Sequence, residues 1–271
     1  MFPSKIPSST VVKDTVMASF KCKRILVTLV SLCSVFTFYM FSMLVGALSS
    51  MNGGILTAPV AAVYLASILF IVLPVTLGVI RFFWRLTGGA EDKPTEVFYY
   101  FSSFILYKRA VKTVLLIAFK CVCCFIICLL PYLIVNVLSH SWIYQFLGTE
   151  VPVWVAGLAL VEAFLKVTGI FAASLMALRY YLVPCIVAMD DDLLLFEAVH
   201  ISVMVSKRSL GSFGVLVVSL LGWAVLSLFV IPVIYTAPLF FGCYVVHSRY
   251  ALVNYNLSLD FYNNENKNMV Y

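Results

Sequence analysis

Two opposite charges lie inside an apolar run that is long enough to cross a membrane. Glu162 and Lys166 are four residues apart, so they share one face of a helix. Charges at membrane depth are costly and usually face a bundle interior or a wet cavity. One interpretation is a proton- or ion-coupling site in which Glu162 titrates. The other, which we favour, is a neutralised pair that lets a polar face pack against other helices.

A third charge, Lys120, lies about two turns inside another apolar run. A lysine near the end of a span can extend its ammonium group to the aqueous interface. We expect Lys120 to reach the cytoplasmic face in this way.

Thiols are concentrated in that same run. Cys121, Cys124 and Cys128 would share one face of a helix, and thiolates at this spacing could bind a soft metal. No second Cys or His cluster of fitting spacing accompanies them. We interpret these cysteines as apolar filler and predict neither a metal nor any other cofactor.

The remaining polar clusters do not match an enzyme. Asp190–Asp192 could bind a divalent cation, but such a run is usually a solvated turn, and its charge favours the start of a following helix. The sequence contains no H-E-x-x-H motif, no paired intramembrane acids and no Walker A motif. We predict that the protein is not an enzyme.

Composition identifies the elements that must carry these residues. Of the 271 residues, 63% are hydrophobic and only 11% are charged, which is too little charge to cover a soluble domain. The apolar runs exceed about 18 residues and lack strand alternation, so we predict an all-α membrane bundle. The predicted organisation is a basic leader (1–24), a transmembrane domain (25–256) and a flexible tail (257–271). Six spans are predicted, at about 25–48, 55–80, 111–135, 153–180, 213–231 and 239–254, with five as the alternative.

The positive charges orient these spans. None of the eighteen Lys and Arg residues falls in a predicted outer loop, so the positive-inside rule places the N-terminus and both long connectors in the cytoplasm. The net charge of +6 is therefore explained by topology, and we predict no nucleic-acid partner. The residues expected to fix topology at the interface are Arg81, Lys108, Arg109, Arg179, Lys207 and Arg208.

The two long connectors have a similar plan. The first connector (80–112) and the second connector (178–210) each contain an Arg-aromatic span end, an acidic turn, an amphipathic segment and a Lys-Arg pair. This similarity indicates either an internal parallel repeat or only two hairpins that obey the same charge rule. In the first connector we expect Thr95 to cap an amphipathic interfacial helix that carries Val97, Phe98, Phe101, Phe104 and Ile105 on one face. Near the C-terminal end, Pro232 and Pro238 predict a tight outer turn between the last two spans.

The second connector and the span after it resemble the signature of a bacterial family of integral membrane proteins, domain of unknown function nine-seven-five. The matching features are Arg179, Tyr180, Pro184, Asp190–Asp192, Ala198, Ser206, Lys207 and Gly222-Trp223. RFFWRLTGG in the first connector is also similar to that family's cytoplasmic segment. The chain departs from the pattern in its tripled Asp and in Arg208-Ser209-Leu210-Gly211, where the family has a Lys-Gly step. The resemblance implies bacterial origin and topology, and no site, since the family has no assigned activity.

These observations predict a multi-pass protein of a bacterial plasma membrane with no enzymatic activity. The leading hypothesis is a transporter-like or membrane-complex subunit. The alternative is a structural or envelope-organising protein that uses its amphipathic connectors to bind lipids or partner proteins. The expected partners are membrane lipids and a membrane protein or second copy of the chain.

Overall fold

A computed structural model describes residues 7–21, 23–51, 57–89, 93–138, 153–226 and 230–268. These residues form helices joined by short turns, with no strand among them. The all-α prediction is confirmed. Outside the described residues lie His140, Trp142 and Glu150, which stand between the predicted third and fourth spans, and also Cys22, Glu91 and Asp92.

The described helices overlap the predicted spans, but their bounds differ from the predicted ones in both directions. The α-helices are α1 (Ser9–Phe20), α2 (Arg24–Met51), α3 (Thr57–Ser67), α4 (Leu73–Thr87), α5 (Phe104–Leu138), α6 (Val153–Ala177), α7 (Val183–Met189), α8 (Leu195–Leu226) and α9 (Val230–Asn268). A π-helical segment, Ile68–Val72, joins α3 to α4. Two 3₁₀ helices cover Pro94–Phe101 and Leu178–Tyr180.

Several of these helices can cross a membrane. Within the described residues, four are long and apolar enough: Ala62–Thr87, Phe104–Val137, Leu160–Met189 and Leu195–Val225. The bent pair Ser9–Phe20 and Arg24–Met40 passes the same test as one broken span, which would make five. By the length and composition of its helices, the chain is therefore a multi-pass membrane protein. The predicted sixth span, 239–254, lies within α9 and stays a prediction.

The chain divides into two compact units. Unit 1 contains residues 1–114 and 182–271, and unit 2 contains residues 115–181. Because unit 1 includes most of both connectors, it contains most of the polar residues discussed below.

The short helix α7 lies in the core of unit 1. Its residues Val183, Cys185, Ile186, Val187 and Ala188 are all buried, and it packs against α4, α8 and α9. A helix that is apolar on every side is typical of a buried position rather than a membrane surface. The first part of the second connector is thus core, and α8 then runs without a break through the predicted interfacial segment into the predicted fifth span.

The first connector packs on α4 through a 3₁₀ helix instead of an α-helix capped by Thr95. Lys93 precedes its first residue, and no side chain caps it, so the Thr95 prediction is wrong. Val97 is buried, whereas Phe98, Phe101, Phe104 and Ile105 are exposed. The predicted single face therefore divides into one core residue and four outward residues.

The leader contains a packed helix that the leader assignment did not include. On α1, Val12, Val16 and Phe20 recur at four-residue spacing and are buried. Val16 and Phe20 lie against Gly242 of α9, where a Cβ atom would approach both side chains to 2.7 Å. The aromatic ring of Phe20 also contacts that of Phe83, at 5.7 Å between centroids.

A proline is accommodated inside the second predicted span. Pro74 cannot donate the N–H that would reach the carbonyl of Phe70 one turn earlier. The π-helical segment lies at this point, and the Tyr107 hydroxyl from α5 donates to the Phe70 oxygen at 3.0 Å. The neighbouring helix thus satisfies an acceptor that the proline leaves open.

The prediction of a tight turn between Pro232 and Pro238 is wrong. The intervening residues are helical within α9, and Pro238 lies inside that helix. Residues 227–229, between α8 and α9, lie outside the described residues. At its other end α9 continues to Asn268, into the range predicted as a tail.

Candidate functional site

A buried arginine joins the two connectors within unit 1. Arg81, on α4, is 9% exposed. Its Nη1 and Nη2 atoms donate to the two carboxylate oxygens of Asp191 at 2.9 and 3.0 Å. Such a two-pronged pair is among the strongest and most directional side-chain interactions. Nη1 also donates to the carbonyl of Ala188, at 3.3 Å.

The 3₁₀ helix of the first connector supplies the other partners of this pair. The Tyr99 hydroxyl donates to Asp191 Oδ2 at 2.8 Å, and the Tyr99 ring lies 3.6 Å below the Arg81 guanidinium. Glu96 accepts from Arg81 Nε at 3.4 Å and also pairs with Arg85. We call these five residues, Arg81, Arg85, Glu96, Tyr99 and Asp191, the connector junction.

A second arginine holds the backbone of the acidic turn. Arg109, at the start of α5, donates from Nη2 to the carbonyls of Asp190 and Leu193 at 2.7 and 2.9 Å. Arginine suits this position because its planar group presents several donors at fixed angles. Arg109 was predicted only as a topology residue, and it also fixes the shape of the turn.

The three consecutive aspartates have different environments. Asp190 closes the turn by accepting the Asp192 amide at 2.8 Å. Asp191 accepts from the junction, and Asp192 is exposed. The acidic run was predicted to be a solvated turn. The structure differs from this prediction at Asp191, whose carboxylate is paired with Arg81.

Burial around the junction also raises the pKa values of Tyr99 and Tyr100. Burial raises the pKa of Tyr100 to about 12, and its ring packs in a core cluster with Leu77, Ala110 and Val114. The pKa of Tyr99 is raised by burial and by its hydrogen bond to Asp191. Both phenols stay protonated at neutral pH, so neither tyrosine supplies a reactive phenolate. The role of Tyr99 is to donate a hydrogen bond within the junction.

Glu162 and Lys166 lie on α6 in unit 2. Lys166 is the fourteenth of the 25 residues of α6 and is exposed, while Glu162 is half-buried. The Lys166 ammonium lies 5.9 Å from the centroid of the Tyr132 ring on α5. A Cβ atom on Gly169 would lie 2.8 Å from the carbonyl oxygen of Cys128, so the two helices cross closely at this glycine.

The other predicted residues are dispersed. Lys120 is half-buried on α5, and Cys121, Cys124 and Cys128 are half-buried free thiols. No group of three or more metal-binding side chains occurs in the described part of the chain. Lys108, Lys207 and Arg208 are exposed in unit 1, and Arg179 is exposed in unit 2. Of the predicted topology residues, the structure brings Arg81 and Arg109 together with the acidic turn.

Sequence reasoning missed Tyr99 and Glu96 as partners of Arg81. One signal was available: Arg81 stands inside the apolar run LGVIRFFW, and a charge there requires a partner. The apolar run VPCIVAM in α7 was likewise a signal of burial.

Comparison with known proteins identifies no relative. No known protein family, curated protein or solved structure matches this chain. The resemblance to domain of unknown function nine-seven-five therefore stays a prediction.

Proposed function

We propose that the chain is a non-enzymatic subunit of a membrane complex, of the transporter-like class, in a bacterial plasma membrane. The observation that carries this proposal is the exposure of Lys166 near the middle of α6. Lys166 is the seventh residue of the candidate span Leu160–Met189, and a charge that faces lipid inside a span is costly. A partner surface that accepts the ammonium group would remove that cost.

The partner is a polar face of another membrane protein or of a second copy of this chain. Glu162 lies one turn from Lys166, so the two charged groups occupy neighbouring positions on one face of α6. Buried charges in spans also mark substrate and proton pathways, which is why the transporter-like class is retained. The N-terminus and both connectors are cytoplasmic in this proposal, with six spans.

Photo-crosslinking in intact membranes tests the proposal. A photoreactive residue replaces Ile170, one turn after Lys166 on the same side of α6, or Phe164, on the opposite side and about half a turn before Lys166. We expect Ile170 to give a discrete protein adduct that is lost in Lys166→Leu, because the leucine cannot donate to the partner. Phe164 is expected to give lipid adducts only.

The outcomes separate the two kinds of partner and can reject both. An adduct of twice the chain's mass identifies a second copy, and another mass identifies a different protein. Equal adducts from both positions, or none from Ile170, would contradict the proposal. Lys112→Leu, which removes an exposed lysine from α5, is the control for loss of charge alone.

One observation favours the alternative, a structural protein that binds lipid or partner proteins through its connectors. Phe98 and Phe101 on the 3₁₀ helix are 57% and 41% exposed, next to exposed Phe104 and Ile105. Exposed aromatics suit the membrane interface. Phe98→Ser with Phe101→Ser should then reduce partner or lipid capture while Lys166→Leu leaves it intact. The reverse result supports the complex-subunit function.

A further inference from the structure

The turn between α1 and α2 borders a groove of about 860 Å³ in unit 1. Basic residues from the turn and apolar residues from the first two turns of α2 line it, and Pro94 of the first connector forms part of its wall. These lining residues are Lys21, Lys23, Arg24, Ile25, Leu26 and Leu29. The described lining contains no acidic side chain.

The groove changes from basic to apolar between the turn and the first part of α2. Arg24 begins α2, and Ile25 and Leu29, one turn apart on the same face, are 86% and 60% exposed. In water such exposure would be unfavourable, but at the start of an apolar helix these side chains can contact acyl chains. The bases then lie at the level of lipid headgroups, where Lys and Arg attract anionic lipids.

Two further features favour an anion with an apolar body. The dipole of the 28-residue α2 places partial positive charge at the same end as the three bases. The volume is within the range of small-molecule sites, about 300–1,000 Å³, and far exceeds a phosphate ion. Charge and shape together match a lipid headgroup with the first part of its chains.

We propose that this groove binds one anionic glycerophospholipid. Lys21 and Arg24 contact its phosphodiester, with Lys23 beside them, and Ile25 and Leu29 contact an acyl chain. None of the lining residues belongs to α6, so this proposal does not depend on the proposed complex.

Native mass spectrometry of the full chain in neutral detergent tests the site. Dioleoyl phosphatidylglycerol is the probe, with phosphatidylcholine as the neutral lipid and inorganic phosphate as competitor. The double variant Lys21→Gln/Arg24→Gln keeps Lys23 and removes two charges from the groove. The matched control, Lys108→Gln/Lys207→Gln, removes two exposed charges elsewhere in unit 1.

We expect the groove variant to raise the Kd for phosphatidylglycerol about 10-fold or more, and the control by less than about 2-fold. Leu29→Ser keeps every charge and is expected to weaken phosphatidylglycerol binding as well, which gives a second readout if the double variant folds poorly. The wild type is expected to prefer phosphatidylglycerol over phosphatidylcholine.

Several results would overturn the site. Equal losses in the groove variant and the control indicate diffuse electrostatic attraction. An unchanged Kd in the groove variant places the lipid elsewhere. Displacement of the lipid by millimolar phosphate, with no effect of Leu29→Ser, identifies a phosphate-ion site without a lipid.

Discussion

Asp190, Asp191 and Asp192 are chemically identical, and their positions alone give them different roles. Asp191 accepts from Arg81 and Tyr99, while Asp192 points into solvent. Removing the charge of Asp191 would leave the buried Arg81 guanidinium without its main counter-ion. A buried guanidinium without a counter-ion destabilises the folded state because its loss of hydration is no longer compensated.

Asp191→Asn is therefore expected to lower the free energy of unfolding by about 1.5–3 kcal/mol, the scale of a hydrogen bond to a charged group. Asp192→Asn removes the same charge from an exposed position and is expected to cost less than about 0.5 kcal/mol. Reversible unfolding of the full chain in mixed micelles measures both. Equal effects would show that the junction does not stabilise unit 1.

Pro74 and Tyr107 form a second testable pair at this scale. Tyr107→Phe removes the donor to the Phe70 carbonyl and is expected to cost about 0.5–1.5 kcal/mol. In a Pro74→Ala background the helix can supply its own N–H, so the same change is expected to cost less. A double-mutant cycle of unfolding free energies measures the difference, and additive effects would contradict the coupling.

Individual partners could not be predicted from the sequence. Arg81 was predicted to fix topology, whereas its burial and its pairing with Asp191 rather than Asp190 or Asp192 depend on tertiary packing. The same prediction was made for Arg109, and its hydrogen bonds to two backbone carbonyls have no sequence signature. Glu162 and Lys166 share the predicted helix because four-residue spacing fixes their relation locally.

At the scale of elements, close backbone contact holds the first connector on α4. A Cβ atom on Gly78 would overlap the carbonyl oxygen of Val97, so glycine is required where the 3₁₀ helix crosses. This contact positions Tyr99 and Glu96 beside Arg81. The junction therefore depends on a residue that carries no functional group.

Gly78→Ala is expected to displace the 3₁₀ helix and destabilise the protein by about 1–3 kcal/mol through overpacking. Gly214→Ala is the matched control, because a Cβ atom on this helical glycine meets nothing within 4 Å. Alanine there is expected to stabilise α8 by about 0.5–1 kcal/mol. Unfolding measurements on both variants test the contact, and a neutral Gly78→Ala would contradict it.

The length of the apolar runs predicted where the helices lie, but it did not predict the residues at which they begin and end. The end of α4 was recognisable from Gly88-Gly89, and Gly89 has a φ of 76°, which favours glycine. The continuous helix through residues 233–237 contradicted the turn inferred from two prolines, since Pro238 fits inside α9. The first connector forms a 3₁₀ helix that packs closely on Gly78, a contact that its amphipathic pattern did not predict.

For the whole molecule, the connector junction requires both connectors to lie on one side of the membrane. The contacts from Arg81 to Asp191 and from Arg109 to the acidic turn are possible only in that arrangement. Arg249 of α9 supports it too, since its guanidinium donates to the Trp84 carbonyl at 3.2 Å near the end of α4. In the proposed topology, which rests on the positive-inside rule, that side is the cytoplasm.

Sidedness of the two connectors is the most direct test. Lys108→Cys and Lys207→Cys place a thiol at an exposed position of the first and second connectors, and a membrane-impermeant maleimide is added to sealed cells or to inverted vesicles. Labelling above the wild-type background is expected for both variants in inverted vesicles and for neither in intact cells. If the two thiols label from opposite sides, the connector junction cannot exist in the membrane.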